Sequence, residues 1–110
     1  MTATAAVDIK LRLQRWASAY PDDAADGAPL ASGDLEADRV EAVVRRMKRL
    51  GRWKEARVLR VEAGHGARPE QERLRRLSRL GLAISRASYY AYLNSALAFV
   101  EGALSGDGGP

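Results

Sequence analysis

Short polar side chains, one guanidinium group and three phenols lie within the ten residues SRASYYAYLN at positions 85–94. Arginine suits guanine or phosphate, asparagine suits adenine, and the hydroxyls of serine and tyrosine suit phosphate oxygens. At the start of a helix, these residue types are typical of a helix that enters the major groove of DNA. The alternative is an ordinary helix, for which Ser85 serves only as the N-cap.

The charges of the chain are segregated along its length. Residues 1–38 carry three Lys or Arg against seven Asp or Glu, whereas residues 39–86 carry fifteen against five. Residues 87–110 add two acidic residues and no basic one, which gives the formal net charge of +4. A basic segment between acidic flanks favours a polyanion-binding surface. The alternative is a solvated helix surface in an arginine-rich protein.

The apolar spacing predicts an all-α protein of about five helices. Residues 1–20 form an N-terminal helix, because Ile9, Leu13, Trp16 and Tyr20 share one helical stripe over about 6–20. Residues 21–33, rich in Asp, Ala, Gly and Pro, form a linker, and Ser32 or Asp34 caps the next helix. We expect a helical DNA-binding domain over 34–104, with helices at about 34–50, 52–63, 69–80 and 86–104. Residues 105–110 are expected to form a flexible tail.

Each helix of this domain has a predicted inward stripe, and the sequence shows no internal repeat or strand-like alternation. The residues predicted to face the core are Ala37, Val40, Val44, Met47, Leu50, Trp53, Ala56, Val58 or Leu59, Ala63, Leu74, Leu77, Leu80, Tyr89, Tyr92 or Leu93, Ala96, Phe99 or Val100, and Leu104.

The last two helices fit a helix-turn-helix at about 69–104. Gly81 ends the first of them, and Ser85 begins the second. With Tyr89, Leu93 and Ala96 facing the core, the open side of the second helix carries the predicted DNA contacts, namely Arg86, Ser88, Tyr90, Ala91 and Asn94. A plain helical hairpin remains the alternative.

Residues suited to catalysis or metal binding are scarce. The chain has no cysteine and one histidine, His65, which we expect to be exposed in a glycine-flanked turn. Asp22, Asp23 and Asp26 fit a solvated run better than an acid–base pair. We therefore expect no enzyme activity, no metal and no cofactor.

The sequence also bears on membranes. No apolar run approaches the roughly 20 residues that span a bilayer, and the N-terminus lacks the features of a secretory signal. Residues 45–60 could form a basic amphipathic helix on an anionic membrane, but Gly51 interrupts that pattern. We therefore expect a cytoplasmic protein that does not bind membranes.

The chain resembles a family of phage regulators. The segments "DRVEAVVRRM", "ARVLRVEAG" and "ISRASYYAYLNSALAFVEGAL", together with the helix "LRLQRWASAY", are similar to the late-gene antitermination protein Q, in its small branch without a zinc motif. The resemblance covers nearly the whole chain and is best over 38–63 and 84–104. The segment "RLGLAIS" is a residue or two longer than the turn of the family's sigma-region-4-like helix-turn-helix, which leaves the register of the fourth helix open.

The resemblance implies a function beyond DNA binding. Proteins of this family bind DNA near a late promoter, engage bacterial RNA polymerase at a sigma-dependent pause and make it read through terminators. Carried over to this chain, Arg86, Ser88, Tyr90, Ala91 and Asn94 lie on the recognition helix. The supporting helix contributes Arg73, Arg75, Arg76 and Arg79, and the residues expected to face polymerase are Arg45, Arg49, Arg52 and Trp53.

Two rival functions remain open. One is a repressor, an activator or another sigma-region-4-like regulator that binds DNA without travelling on polymerase. The other is a helical interaction module whose basic face meets an acidic protein. Salt-dependent binding to duplex DNA separates the second rival from the others.

Overall fold

The computed structural model describes residues 2–21 and 29–107, with side chains over 9–21 and 29–105. Within these ranges the chain is all-helical and has no strand, which confirms the predicted class. Its five helices are α1 (Thr2–Ala19), α2 (Leu35–Arg49), α3 (Trp53–His65), α4 (Glu70–Arg79) and α5 (Arg86–Asp107).

Helix α1 and helix α5 extend further than the spacing predicted. Helix α1 begins at Thr2 instead of residue 6, and α5 continues to Asp107, so residues 105–107 of the predicted tail are helical. Residues 22–28 of the predicted linker and 108–110 of the tail lie outside the described residues.

Both predicted caps are present. The Asp34 carboxylate accepts from the backbone N–H groups of Glu36 and Ala37 at 3.1 and 3.2 Å. Hydrogen bonds from Arg15 hold the pKa of this carboxyl below its usual value. The Ser85 hydroxyl accepts from the backbone N–H of Ser88 at 3.1 Å. These bonds satisfy amide groups that the first turn of a helix leaves without partners.

Helix α3 lies at the centre of the fold and packs against each of the other four helices. The predicted stripes of α1 and α5 are buried as expected, from Ile9 to Tyr20 and from Tyr89 to Leu104. In α2 and α3 the buried apolar positions are Ala37, Val40, Val43, Val44, Met47, Ala56, Val58, Leu59 and Val61.

Leu50, Trp53 and Leu80 were wrongly predicted to face the core. They are 58%, 42% and 45% exposed. Leu50 and Leu80 are C-cap residues, just beyond the last helical turn, where the stripe no longer applies. Trp53 is the first residue of α3, where the stripe of that helix begins, and its exposed ring lies against the cations of Lys54 and Arg57.

Helices α2 and α4 end in the same way, which reveals a short repeat that the sequence prediction missed. Residues 45–51 read RRMKRLG and residues 75–81 read RRLSRLG. Gly51 and Gly81 have φ of +83° and +89°, a conformation that favours glycine. In each unit the amide two residues beyond the C-cap donates to the carbonyl three residues before the cap. These bonds are Arg52 N to Met47 O and Leu82 N to Leu77 O, both 2.9 Å.

The connections that follow the two repeats differ in length. Helices α2 and α3 are joined by residues 50–52, whereas α4 and α5 are joined by the six residues 80–85. A helix-turn-helix usually has a turn of three or four residues. The helix-turn-helix at the end of the chain therefore stays a prediction, with a connection longer than the motif requires.

A fully buried carboxylate links the first three helices. Glu41 of α2 is 0% exposed and accepts hydrogen bonds from Trp16 Nε1 at 2.8 Å, Arg45 Nε at 2.8 Å and Arg60 Nη2 at 3.1 Å. The Arg60 guanidinium also lies 4.5 Å from the centre of the Trp16 ring and donates to the Tyr20 carbonyl at 2.6 Å. One charge thus fixes α1 and α3 against α2.

Replacing Glu41 should therefore be severe. We expect Glu41→Ala to lower the free energy of unfolding by about 3–5 kcal/mol, because it removes the fully buried carboxylate that Arg45, Arg60 and Trp16 all bind. The control Glu36→Ala, also on α2, removes half-exposed pairs with Arg12 of α1 and Arg39 of α2 and should cost about 1 kcal/mol. Urea denaturation measures both. Equal losses would show that the buried carboxylate does not hold the helices together.

Candidate nucleic-acid interface

The outer face of α4 carries exposed guanidinium groups. Arg75, Arg76 and Arg79 are all exposed, as predicted for DNA contacts. Glu70 and Glu72 lie in the first turn of α4, and Arg76 and Arg79 lie in the last. Each charge therefore lies at the helix end that its sign favours. The positive charges of Arg76 and Arg79 are therefore compatible with a stable α4, because they lie near the negative end of its dipole.

A shallow concavity of about 360 Å³ lies between the end of α3 and α4. It is lined by His65, Arg68, Glu72, Arg73, Arg75, Arg76 and Arg79. Burial, together with the charges of Arg76 and Arg68, holds the pKa of His65 below its usual value. His65 is the last residue of α3 and half-buried, so its predicted place in an exposed turn was wrong. Burial is the larger cause of the lowered pKa, and the two arginine charges add to it.

Arg73 does not lie on this outer face. It is only 9% exposed, since it is one turn before the buried Leu77 and shares its side of α4. Its Nη1 donates to Glu62 Oε1 of α3 at 2.5 Å, and its guanidinium carbon lies 5.3 Å from the centre of the Tyr89 ring. The structure thus corrects the assignment of Arg73 to the DNA-contacting set.

The outward side of α5 carries small or polar residues. Ala91 and Asn94 are exposed, and Tyr89, Leu93 and Ala96 are buried, as the phase predicted. Ser88 is half-buried, and its hydroxyl accepts from that of Ser85 at 3.2 Å. Asn94 is the open amide of this face.

Tyr90 and Arg86 are both tied to α4. Tyr90 is half-buried instead of open, and its hydroxyl donates to Glu70 Oε2 at 3.2 Å. The Tyr90 ring packs edge-on against the Tyr89 ring, with the two ring centres 5.2 Å apart. Arg86 Nε lies 3.1 Å from Glu70 Oε1, although the side chain is 74% exposed. Glu70 therefore fixes the first turns of α5 against the start of α4, which corrects the prediction that Tyr90 is open to solvent.

The four residues predicted to face polymerase are split by the structure. Arg49, Arg52 and Trp53 are exposed around the α2–α3 connection. Arg45 is 5% exposed and donates to Glu41, so its assignment to that surface is corrected. Its position one turn after Glu41 puts it on the inner side of α2.

Sequence reasoning missed the carboxylates that organise this region. Glu62 accepts from Arg73 and from the Tyr89 hydroxyl, the latter at 2.7 Å. Glu70 accepts from Arg86 and Tyr90. The helix face on which Glu62 and Glu70 lie could be predicted from their spacing. Their partners come from other helices, and no local sequence pattern reveals those.

No protein-family pattern, curated protein or solved structure matches this chain. Within residues 2–21 and 29–107, no helix is long and apolar enough to cross a membrane. The same described residues contain no group of three His, Asp or Glu placed to hold a metal ion.

The Tyr89–Glu62 bond predicts loss of stability at alkaline pH. Burial and the neighbouring Glu62 raise the pKa of Tyr89, so the folded chain keeps this proton after the unfolded phenol, with a pKa of about 10, has lost it. The stabilisation is complete below pH 10 and declines above it by about 1.4 kcal/mol per pH unit. Urea denaturation from pH 7 to 11 should show this decline.

Tyr89→Phe should flatten the alkaline decline. Part of the slope should remain, because burial and Asp38 also raise the pKa of Tyr20. The matched change on the same helix, Tyr92→Phe, should leave the wild-type slope. A Tyr89→Phe protein that loses stability as steeply as the wild type would contradict the assignment.

Proposed function

We propose that this chain is a transcription regulator that binds duplex DNA through α4 and the first half of α5. We further propose that it acts on bacterial RNA polymerase as an antitermination factor, in the cytoplasm of a phage-infected cell. The observation that carries DNA binding is the exposed row of Arg75, Arg76 and Arg79, which line the concavity between the end of α3 and α4. The antitermination role is supported by the sequence resemblance to protein Q.

The contacts divide into phosphate binding and base reading. The α4 arginines neutralise phosphates, which supplies affinity without sequence preference. Asn94 reads adenine, and the small side chain of Ala91 lets the α5 backbone come close to the base edges. Ser88 adds a hydroxyl contact at the first turns of α5.

Arg86 must leave Glu70 to reach DNA. An exposed ion pair is worth about 0–1 kcal/mol, so its release is a small cost beside a bidentate contact to guanine or phosphate. Arg73 and Tyr90 serve this surface indirectly, since they hold α5 in place on α3 and α4. In the free protein Arg86 is thus ion-paired with Glu70, and it exchanges this partner for DNA on binding.

Polymerase contact is assigned to a separate surface. Arg49, Arg52 and Trp53 lie at the α2–α3 connection, on other helices than the proposed DNA contacts. The proposed partners are polymerase and its sigma factor, as the resemblance implies.

The α4 arginines can be tested through the salt dependence of DNA binding. Removing each phosphate contact should reduce the slope of log affinity against log salt by about 0.9. The double change Arg75→Ala with Arg79→Ala should therefore lower the slope by nearly two and weaken binding to all duplexes about equally. Fluorescence anisotropy with a labelled duplex at several salt concentrations measures this. Lys10→Ala with Arg39→Ala removes two exposed cations elsewhere and should leave the slope unchanged.

The same proteins should differ in transcription. A duplex selected from a random pool on the wild-type protein supplies the site, placed upstream of a terminator for purified polymerase. Wild-type protein should raise readthrough, and the Arg75, Arg79 variant should do so only at higher concentration. Tight site binding with termination unchanged would replace this proposal by the repressor or activator reading. Binding that is absent or insensitive to salt would favour the protein-interaction module.

A further inference from the structure

His65, the one histidine of the chain, lies among the arginines proposed to bind phosphates. It lines the concavity between the end of α3 and α4 together with Arg75, Arg76 and Arg79. Its side chain is half-buried, so part of the imidazole is open to solvent. A ligand that enters the concavity to meet these arginines therefore comes close to the imidazole as well.

The turn that follows α3 places Arg68 next to His65. The backbone N–H of Arg68 donates to the His65 carbonyl at 2.9 Å. Gly66 lies between them, and a Cβ at this position would come within 2.6 Å of the Glu62 carbonyl oxygen. The turn therefore requires glycine here. Because Arg68 lines the same concavity, the turn brings an imidazole and a guanidinium group to one place.

The charged groups around His65 are mostly basic. A second, smaller concave surface meets the other side of His65 and is lined in addition by Tyr20, Lys48, Arg57, Arg60 and Arg76. Among the described residues that line the two surfaces, the one carboxylate is Glu72, which lies 3.7 Å from Arg68. Glu62, one turn before His65 on α3, is bound by Arg73 and Tyr89.

In the free protein these surroundings oppose a proton on His65. Burial lowers its pKa from the ordinary value of 6.5, and the charges of Arg76 and Arg68 lower it further. The end of α3 acts in the opposite direction, since the C-terminal end of a helix favours a cation. With the pKa lowered, His65 is neutral at pH 7 in the free protein.

A phosphate in the concavity changes this balance. Its negative charge compensates those of Arg68 and Arg76, and it attracts an imidazolium directly, which raises the pKa of His65. Both ring nitrogens of an imidazolium are donors, so one of them can donate to a phosphate oxygen. A phosphodiester stays negatively charged between pH 5.5 and 8.5. The proton that is taken up on binding therefore goes to His65.

We propose that His65 is a further phosphate-binding residue of the duplex-binding surface, which takes up a proton from solvent on binding and donates a hydrogen bond to a backbone phosphate. The inference rests on the proposed duplex binding. It makes DNA affinity fall as the pH rises from the pKa of free His65 to the higher pKa of the complex, with a plateau on either side. Each unit between these pKa values separates the plateaus tenfold.

The pH dependence of duplex binding tests this proposal. Fluorescence anisotropy with a labelled duplex at constant ionic strength should give about tenfold tighter binding at pH 5.5 than at pH 8.5. His65→Gln should match the wild type at pH 8.5 and lose the gain at pH 5.5. His65→Lys, which stays charged, should bind tightly at both. A merely structural histidine would change the affinity equally at every pH. Circular dichroism checks the fold of each variant.

The imidazole itself reports the proton. Because the chain has one histidine, the carbon-bound ring protons of His65 can be followed against pH by nuclear magnetic resonance, with and without duplex. The duplex should raise the pKa by about one unit. Arg76→Ala should raise the pKa of the free protein, because it removes one of the two charges that lower it. Arg46→Ala, at the counterpart of Arg76 in the first repeat, should not.

Three results would overturn the proposal. Duplex binding could be equally tight at pH 5.5 and 8.5, or His65→Gln could keep the gain at low pH. Alternatively, inorganic phosphate at the same phosphate concentration could raise the pKa of His65 as much as the duplex does, which would assign the place to a free anion. In each case the salt dependence of duplex binding would stand. Absence of any duplex binding would overturn the proposed function too, so the two failures are distinguishable.

Discussion

The Glu41 carboxylate, buried where α1, α2 and α3 meet, is the constraint on which the rest of the structure depends. A charge removed from water must be met by donors, and Trp16, Arg45 and Arg60 supply them, one from each of these helices. Because Arg60 also binds the Tyr20 carbonyl, it fixes the end of α1 as well. Helix α3, held in this way, is the support on which α4 and α5 are packed.

The same logic divides the arginines of the basic segment into two populations. Arg45, Arg60 and Arg73 point inward and are matched to Glu41 or Glu62, so they stabilise the fold. Arg75 and Arg79 point outward from the second half of α4, where they can meet a polyanion. The segregated charge of the chain is therefore partly structural, and the surface proposed for DNA is smaller than the composition suggests.

The helices and their buried faces could be predicted from the sequence because a 3.6-residue stripe is a local property. The apolar spacing of α5 correctly predicted that Tyr89 is buried and that Asn94 is exposed. The exposure of Leu50 could not be predicted in this way, since the stripe ends where Gly51 turns the chain. Tyr90 and Arg73 escaped prediction for another reason. Their partners, Glu70 and Glu62, come from other helices, and such pairing is decided only by packing.

The division of the arginines is the central claim, and the guanidinium Nε–H signals in a nitrogen–proton correlation spectrum test it most directly. On addition of duplex DNA at low salt, the signals of Arg75 and Arg79 should shift, and added salt should reverse the change. Those of Arg45 and Arg73, held by Glu41 and Glu62, should stay in place. Shifts at Arg73 as large as those at Arg79, or no shift at Arg75 and Arg79, would contradict this account.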